Sequence, residues 1–135
     1  MTQGETEQQL GLGGAPTGRL LFALLGGASA WSVHFLGSYA LASIGCVAGW
    51  HGIKESLAVG TVVLGAIAAW SMLIAWRDWR RVSAGQPWDA ALGEPRGWFA
   101  FLMLTGVLLG AVSVLTIALE GLGTLILPVC GWNVR

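Results

Sequence analysis

The sequence predicts an all-α integral membrane protein of three transmembrane helices, with the N-terminus cytoplasmic and the C-terminus exoplasmic. Three apolar runs, roughly residues 20–47, 57–76 and 98–129, each reach or pass the ~20 residues that a spanning helix needs. Charged residues form only 10% of the 135-residue chain and hydrophobic residues 55%, with a mean hydropathy of +0.69, outside the range of soluble globular domains. The placement of the seven Lys and Arg residues sets the orientation, because basic residues in short loops stay on the cytoplasmic side. Arg19 precedes the first run, and Arg77, Arg80, Arg81 and Arg96 lie between the second and third, whereas only Lys54 and Arg135 fall on the other side. Tryptophans agree, with Trp76, Trp79, Trp88 and Trp98 at one interface and Trp50 and Trp132 at the other.

Residues 1–18 form a Gly- and Gln-rich leader with too few apolar residues to offset chain ordering, so a disordered cytoplasmic segment is expected there. Residues 19–135 then form one three-helix transmembrane domain. Helix one covers about residues 20–46; Glu5 and Glu7 in its leader and an apolar stretch beyond the ~7–15 residues of a signal h-region predict that it is retained. Ser43, three positions before Cys46, is not the aliphatic residue of a lipoprotein signal. A short exoplasmic link around Ala48 to Glu55 makes helix two, about residues 56–77, an antiparallel neighbour. The turn formers Gly85, Pro87, Gly93 and Pro95 mark residues 78–96 as a cytoplasmic connector in which Asp78, Asp89 and Glu94 partly balance the arginines. Helix three covers about residues 97–120, and residues 121–135, broken by Gly121, Gly123 and Pro128, read as an exoplasmic tail lying along the outer surface.

Helices in lipid associate through small residues that admit close backbone approach. Gly26 and Ala30 on helix one, Thr61, Gly65 and Ala69 on helix two, and the Gly106–Gly110 pair on helix three supply such faces. The 21 glycines exceed what three helices need among themselves, so some of these faces are expected to meet other subunits.

Two polar residues stand out inside apolar sequence, where ionisable groups are costly. His34 is near the middle of helix one, with Trp31 and Ser38 one turn to either side on a shared face. One reading is a structural hydrogen bond to another helix or subunit; the other is a cofactor ligand to haem iron, copper or bacteriochlorophyll magnesium. The second histidine, His51, lies in the link, so a self-contained bis-histidine haem site is not expected. Glu120 is placed near the outer edge of helix three, solvated there, or paired with Lys54, Arg135 or a neighbour's basic group if the helix tilts.

The two cysteines, Cys46 and Cys130, both fall on the exoplasmic side in this topology. A disulfide is the first reading, because that compartment permits it. The alternative is a metal site in which Cys46, Cys130 and His51 hold Cu(I), although no CxxC pair preorganises the ligands.

The stretch Gly26-Gly27-Ala28-Ser29-Ala30-Trp31-Ser32-Val33-His34, followed by Ser38-Tyr39-Ala40-Leu41 and Cys46, resembles helix one of small three-span membrane proteins encoded with bacterial cytochrome c oxidase subunits. The close, Leu122 to Leu127 followed by Pro128-Val129-Cys130, is similar to the Leu-rich, Pro, Cys ending of those proteins, without their acidic residue before Pro-Cys. The resemblance implies a multi-pass protein of the bacterial inner membrane that serves a haem-copper terminal oxidase, with Trp31, His34, Cys46 and Cys130 as its recognisable positions. It implies an accessory subunit of the respiratory electron transport chain or an assembly protein, and not catalysis; no cofactor of its own is expected, with copper, haem or bacteriochlorophyll as the alternatives.

The residues themselves point away from catalysis, for there is no nucleophile–base pair, phosphate loop or complete metal set. Zero formal net charge and the lack of a basic aromatic patch point away from nucleic acid. The expected function is therefore a non-catalytic subunit of an electron-transfer complex that packs against core subunits through its Gly-rich faces. Its alternatives are copper handling through the cysteines, or pigment or haem binding in a photosynthetic complex through His34.

Overall fold

A computed structural model describes residues 17–84 and 95–130, apart from the side chains of residues 95 and 96. These residues form three helices and, among them, no strand: α1 (Thr17–Ala48), α2 (Ile53–Ser83) and α3 (Pro95–Ile126). All three are long and apolar enough to cross a membrane. At 32, 31 and 32 residues they measure ~46–48 Å, well beyond the ~30 Å hydrocarbon core, so their ends reach the interfaces and beyond.

The helices outrun the expected spans. Asp78 to Ser83, assigned to the connector, continues α2, where Arg80 and Arg81 in the last turn complement the carbonyl end of the helix dipole. Gly121 to Ile126, assigned to a surface tail, continues α3 for six residues past Glu120, because the main-chain ladder persists through both glycines and ends only before Pro128. At the near ends too the helices are longer than expected: Pro95 and Arg96 of the predicted connector begin α3, Thr17 and Gly18 of the predicted leader begin α1, and Ile53 to Glu55 of the link begin α2. Residues 1–16, 85–94 with Trp88, and 131–135 with Trp132 and Arg135 lie outside the described residues.

The α1–α2 link is as short as expected, and its geometry follows from one glycine. Gly49 has φ +64°, the left-handed conformation that closes a helix; its N–H donates to the Cys46 carbonyl at 3.4 Å and the Trp50 N–H to the Gly45 carbonyl at 2.9 Å. This is the paired 5→2 and 6→1 bonding of a Schellman cap. Ile53, the first residue of α2, is buried over Gly45, where any Cβ would come within 2.7 Å of its Cδ1.

Each helix packs on both others, α2 against α3 most extensively. Small residues fill the inside: Ala23 and Ala75 surround Met103 in one layer, and Ala30 and Ala68 surround Ile117 in the next. Large apolar side chains such as Leu36, Val62, Leu108, Leu115 and Ile126 point outward. A chain with small residues inside and leucines outside suits lipid, which is as apolar as leucine and leaves close packing as the main attraction.

Gly26, Ala30, Thr61, Gly65, Gly106 and Gly110, singled out in the sequence, occupy these internal contacts, and Ala69 is half-buried. A Cβ at Gly106 would sit 2.7 Å from the Ala23 carbonyl oxygen, one at Gly110 2.8 Å from Met72 Cβ, and one at Gly26 2.9 Å from Ser71 Oγ. Gly65 faces Ile117 Cγ2 at an ordinary 3.7 Å, and Ala30 is buried. These residues therefore serve contacts among α1, α2 and α3, while the Cβ positions of Gly37, Gly60 and Gly123 meet nothing within 4 Å. Gly27, absent from that set, is as tightly placed, 2.9 Å from the Gly110 Cα by the same measure.

The antiparallel order gathers charge at one end. Arg19 at the start of α1 donates to Asp78 near the end of α2 at 2.7 Å, and Arg81 stands 3.9 Å from the same carboxylate. Trp76 and Trp79 pack at a 5.1 Å centroid distance beside them. Lys54, Glu55 and the Cys46–Cys130 pair mark the opposite end.

Candidate functional site

His34 is the most enclosed polar side chain in the helix middles that can titrate, with only 3% of its surface exposed. It enters the bundle because the residues below it on its face of α1, Ala30 and Gly27, are small and buried. Both ring nitrogens are engaged by other helices. Nδ1 lies 3.0 Å from Glu120 Oε2 on α3, and Nε2 lies 2.9 Å from Thr61 Oγ1 on α2. The Thr61 hydroxyl also donates to the Leu57 carbonyl one turn earlier, at 2.8 Å.

The triad depends on how closely α3 approaches α2. Gly121, next to Glu120, is buried against Thr61, and a Cβ there would collide with Thr61 Cγ2. That contact brings the carboxylate and the hydroxyl to opposite edges of one imidazole. The carboxylate is not sealed, since the Glu120 side chain keeps 30% of its exposure.

The sequence places Glu120 at the interface, solvated or paired with Lys54, Arg135 or a neighbour's basic group; in the structure its partner is His34. The reason is the longer α3, which sets Glu120 about 9 Å inside the helix end instead of at it. The shared face expected for Trp31, His34 and Ser38 also divides. Trp31 turns outward and stacks on Phe35 at 6.0 Å, Ser38 is half-buried, and His34 alone points in.

An axial ligand to iron, copper or magnesium needs a ring nitrogen, so His34 would have to give up Thr61 or Glu120 to bind haem or bacteriochlorophyll. Cys46 and Cys130 are joined as a disulfide with Cα atoms 5.6 Å apart, which ties the end of α1 to the segment after α3. Holding Cu(I) would first require reducing that bond, because the metal ligand is the thiolate. His51 is exposed in the link, and among the described residues no three His, Cys, Asp or Glu side chains gather as a metal set.

Two further polar ties brace the bundle. Ser71 on α2, buried, donates to the Phe22 carbonyl of α1 at 2.9 Å, directly over Gly26. The Arg19–Asp78 pair closes the same two helices at the basic end. Neither pairing is identified in the sequence, where Asp78 counts only toward the charge of the connector, and the His34 partner Thr61 is likewise read there only as a small packing residue. Arg19 and Asp78 each lie one residue outside the spans 20–46 and 56–77 expected from the sequence, and for antiparallel helices that shared depth points to the pair. No protein-family model, curated protein or solved structure matches this chain.

Proposed function

We propose that the chain is a non-catalytic accessory subunit of a larger membrane electron-transfer complex, a bacterial haem-copper terminal oxidase, in the inner membrane. The observation that carries this reading is that its chemistry-bearing residues are turned on one another: His34 on Glu120 and Thr61, and Cys46 on Cys130. Such side chains position helices. What remains for partners is the outward surface of α1, α2 and α3, rich in Leu, Val, Phe and Trp, which suits lipid and the flanks of other membrane helices. The oxidase assignment rests on the resemblance of helix one and the Cys130 segment to oxidase-associated three-span proteins.

In this reading the basic end, with Arg19, Arg77, Arg80 and Arg81, faces the cytoplasm, and the disulfide end faces the exoplasm. The disulfide supports the same orientation, since it persists in an oxidising compartment and not in a reducing one.

The test is isolation from the native membrane in mild detergent, with mass spectrometry of the copurifying chains and a visible spectrum of the complex. Oxidase core subunits at constant stoichiometry, with haem absorbance that survives His34→Leu, are the expected result. Copurifying photosynthetic chains, or absorbance lost with His34, would replace this reading with pigment or haem binding. An isolated protein that takes up Cu(I) only after reduction would replace it with copper handling. Labelling of single cysteines placed beside Arg80 or Lys54 by an impermeant reagent checks the orientation.

A further inference from the structure

We infer that the outward face of α2 is a seat for an anionic phospholipid, its phosphate held by Arg77, Arg80 and Arg81 and an acyl chain lying along Leu73, Trp70 and Ala66.

Guanidinium groups do not lose their proton in proteins, so these three arginines give the end of α2 a fixed positive charge. Asp78 is the one acidic side chain among the described residues at this end, and it is turned inward. Its carboxylate is 13% exposed and accepts from the Arg19 guanidinium at 2.7 Å. Arg81, 72% exposed, stands 3.9 Å from the same carboxylate, beyond hydrogen-bond distance. Arg77 and Arg80 are exposed and have no ion-pair partner among the described residues. The outward guanidiniums therefore lack a carboxylate of their own, which leaves room for a foreign anion.

Their spacing, i, i+3 and i+4, puts all three on one side of α2, away from the buried Ala68, Ser71 and Ala75. Leu73, Trp70 and Ala66, which precede Arg77 by one, two and three turns, continue that side toward the middle of the helix, and all are exposed. Ala66 is ~16 Å from Arg77 along the axis, about the depth of one leaflet of a ~30 Å hydrocarbon core. Trp76, 41% exposed and packed on Trp79, marks the interface at the level of the guanidiniums. A phospholipid laid against α2 thus meets the arginines with its phosphate and the apolar track with its chain.

This arrangement favours one occupant. A soluble anion would use the guanidiniums and leave the apolar track unused. A zwitterionic lipid brings a cation of its own up to the same three arginines, whereas a lipid of net negative charge does not. Fixing the orientation of the chain requires basic residues on one side of the membrane, and it does not require them above a lipid-facing track with the carboxylate turned away. The seat uses α2 alone, so the outward faces of α1 and α3 stay available to other subunits.

The experiment is native mass spectrometry of the full-length protein released from nanodiscs of equal phosphatidylglycerol and phosphatidylcholine with matched acyl chains. Phosphatidylglycerol should be retained in preference. Arg77→Gln and Arg80→Gln should each lower that preference about fivefold, the worth of one basic residue at an anionic surface, while Lys54→Gln at the opposite end leaves it unchanged. Trp70→Ala should lower retention of the lipid; unaltered retention would remove the acyl track and the lipid with it. Circular dichroism and the intact disulfide check that each variant is folded. Equal retention of the two lipids by the unmodified protein, or a preference that survives the double Arg77→Gln, Arg80→Gln substitution, overturns the inference and leaves the arginines as determinants of orientation. Displacement of the lipid by inorganic phosphate overturns it in favour of a bare anion site.

Discussion

Gly106→Ala tests whether close approach of α1 and α3 holds the bundle together. The added Cβ would stand 2.7 Å from the Ala23 carbonyl oxygen and 3.3 Å from Ala75 Cβ. A carbon and a carbonyl oxygen rest at ~3.3–3.6 Å, so α1 must retreat by roughly 0.6 Å or more. The obstacle is backbone, and no rotamer of a neighbour relieves it. Overpacking of this kind costs about 1–3 kcal/mol. Alanine also favours helix over glycine by about 0.8–1 kcal/mol, which would mask part of the effect. Gly60→Ala removes that ambiguity, because Gly60 is mid-helix on α2 with nothing within 4 Å of its Cβ position. The difference between the two variants isolates the packing term, a roughly 5- to 150-fold change in the ratio of folded to separated helices. Steric trapping of the disulfide-intact protein in bicelles measures that ratio. Ala75→Gly added to Gly106→Ala should recover little, since the carbonyl contact remains. Equal stability of Gly106→Ala and Gly60→Ala would refute the packing argument.

Three other expectations follow from the same contacts. Cys46 and Cys130 should resist alkylation until reductant is added; their replacement by serine should lower stability by less than the ~4.6 kcal/mol of the chain-entropy model for an 84-residue separation, because inserted helices are already constrained when apart. Ser71→Ala should cost about 0.6–1.7 kcal/mol through loss of the bond to the Phe22 carbonyl, and Ser71→Leu more, because Gly26 leaves it no room, as thermal melts in one detergent would show. A double-mutant cycle with Arg19→Gln and Asp78→Asn should give a coupling of about 0.2–1 kcal/mol that shrinks as salt is raised; a coupling unaffected by salt would contradict a pair as exposed as Arg19 is.

The spans were readable because hydropathy acts over twenty residues at a time, and the cysteine pair because the compartment and two positions suffice. The ends were not. Extending α2 through Ser83 and α3 through Ile126 depends on main-chain bonds that polar or glycine-rich sequence neither forbids nor announces. Gly121 shows the difficulty: in sequence it reads as a helix breaker, and in the bundle it is the contact that lets α3 reach Thr61. His34 could be picked out as a polar residue at mid-depth, but its partners come from residues 27 and 86 positions away. Only the relative rotation of three helices decides that Glu120 meets it, and periodicity on a single helix does not encode that rotation.

The polar and covalent ties are unevenly shared. Arg19 to Asp78, Ser71 to Phe22, His34 to Thr61 and Glu120, and Cys46 to Cys130 all have one member on α1. Among the described residues, α2 and α3 meet through apolar packing, as at Gly110 on Met72 and Gly121 on Thr61, with His34 bridging them. This division follows from composition. α1 carries small residues on its inner face and buries few large apolar groups, so dispersion alone would hold it weakly in lipid. Ties at its start, middle and end fix its rotation as well as its position. They make His34 the point where polar contacts from all three helices meet, so the removal of that one side chain loosens every pair of helices in the unit.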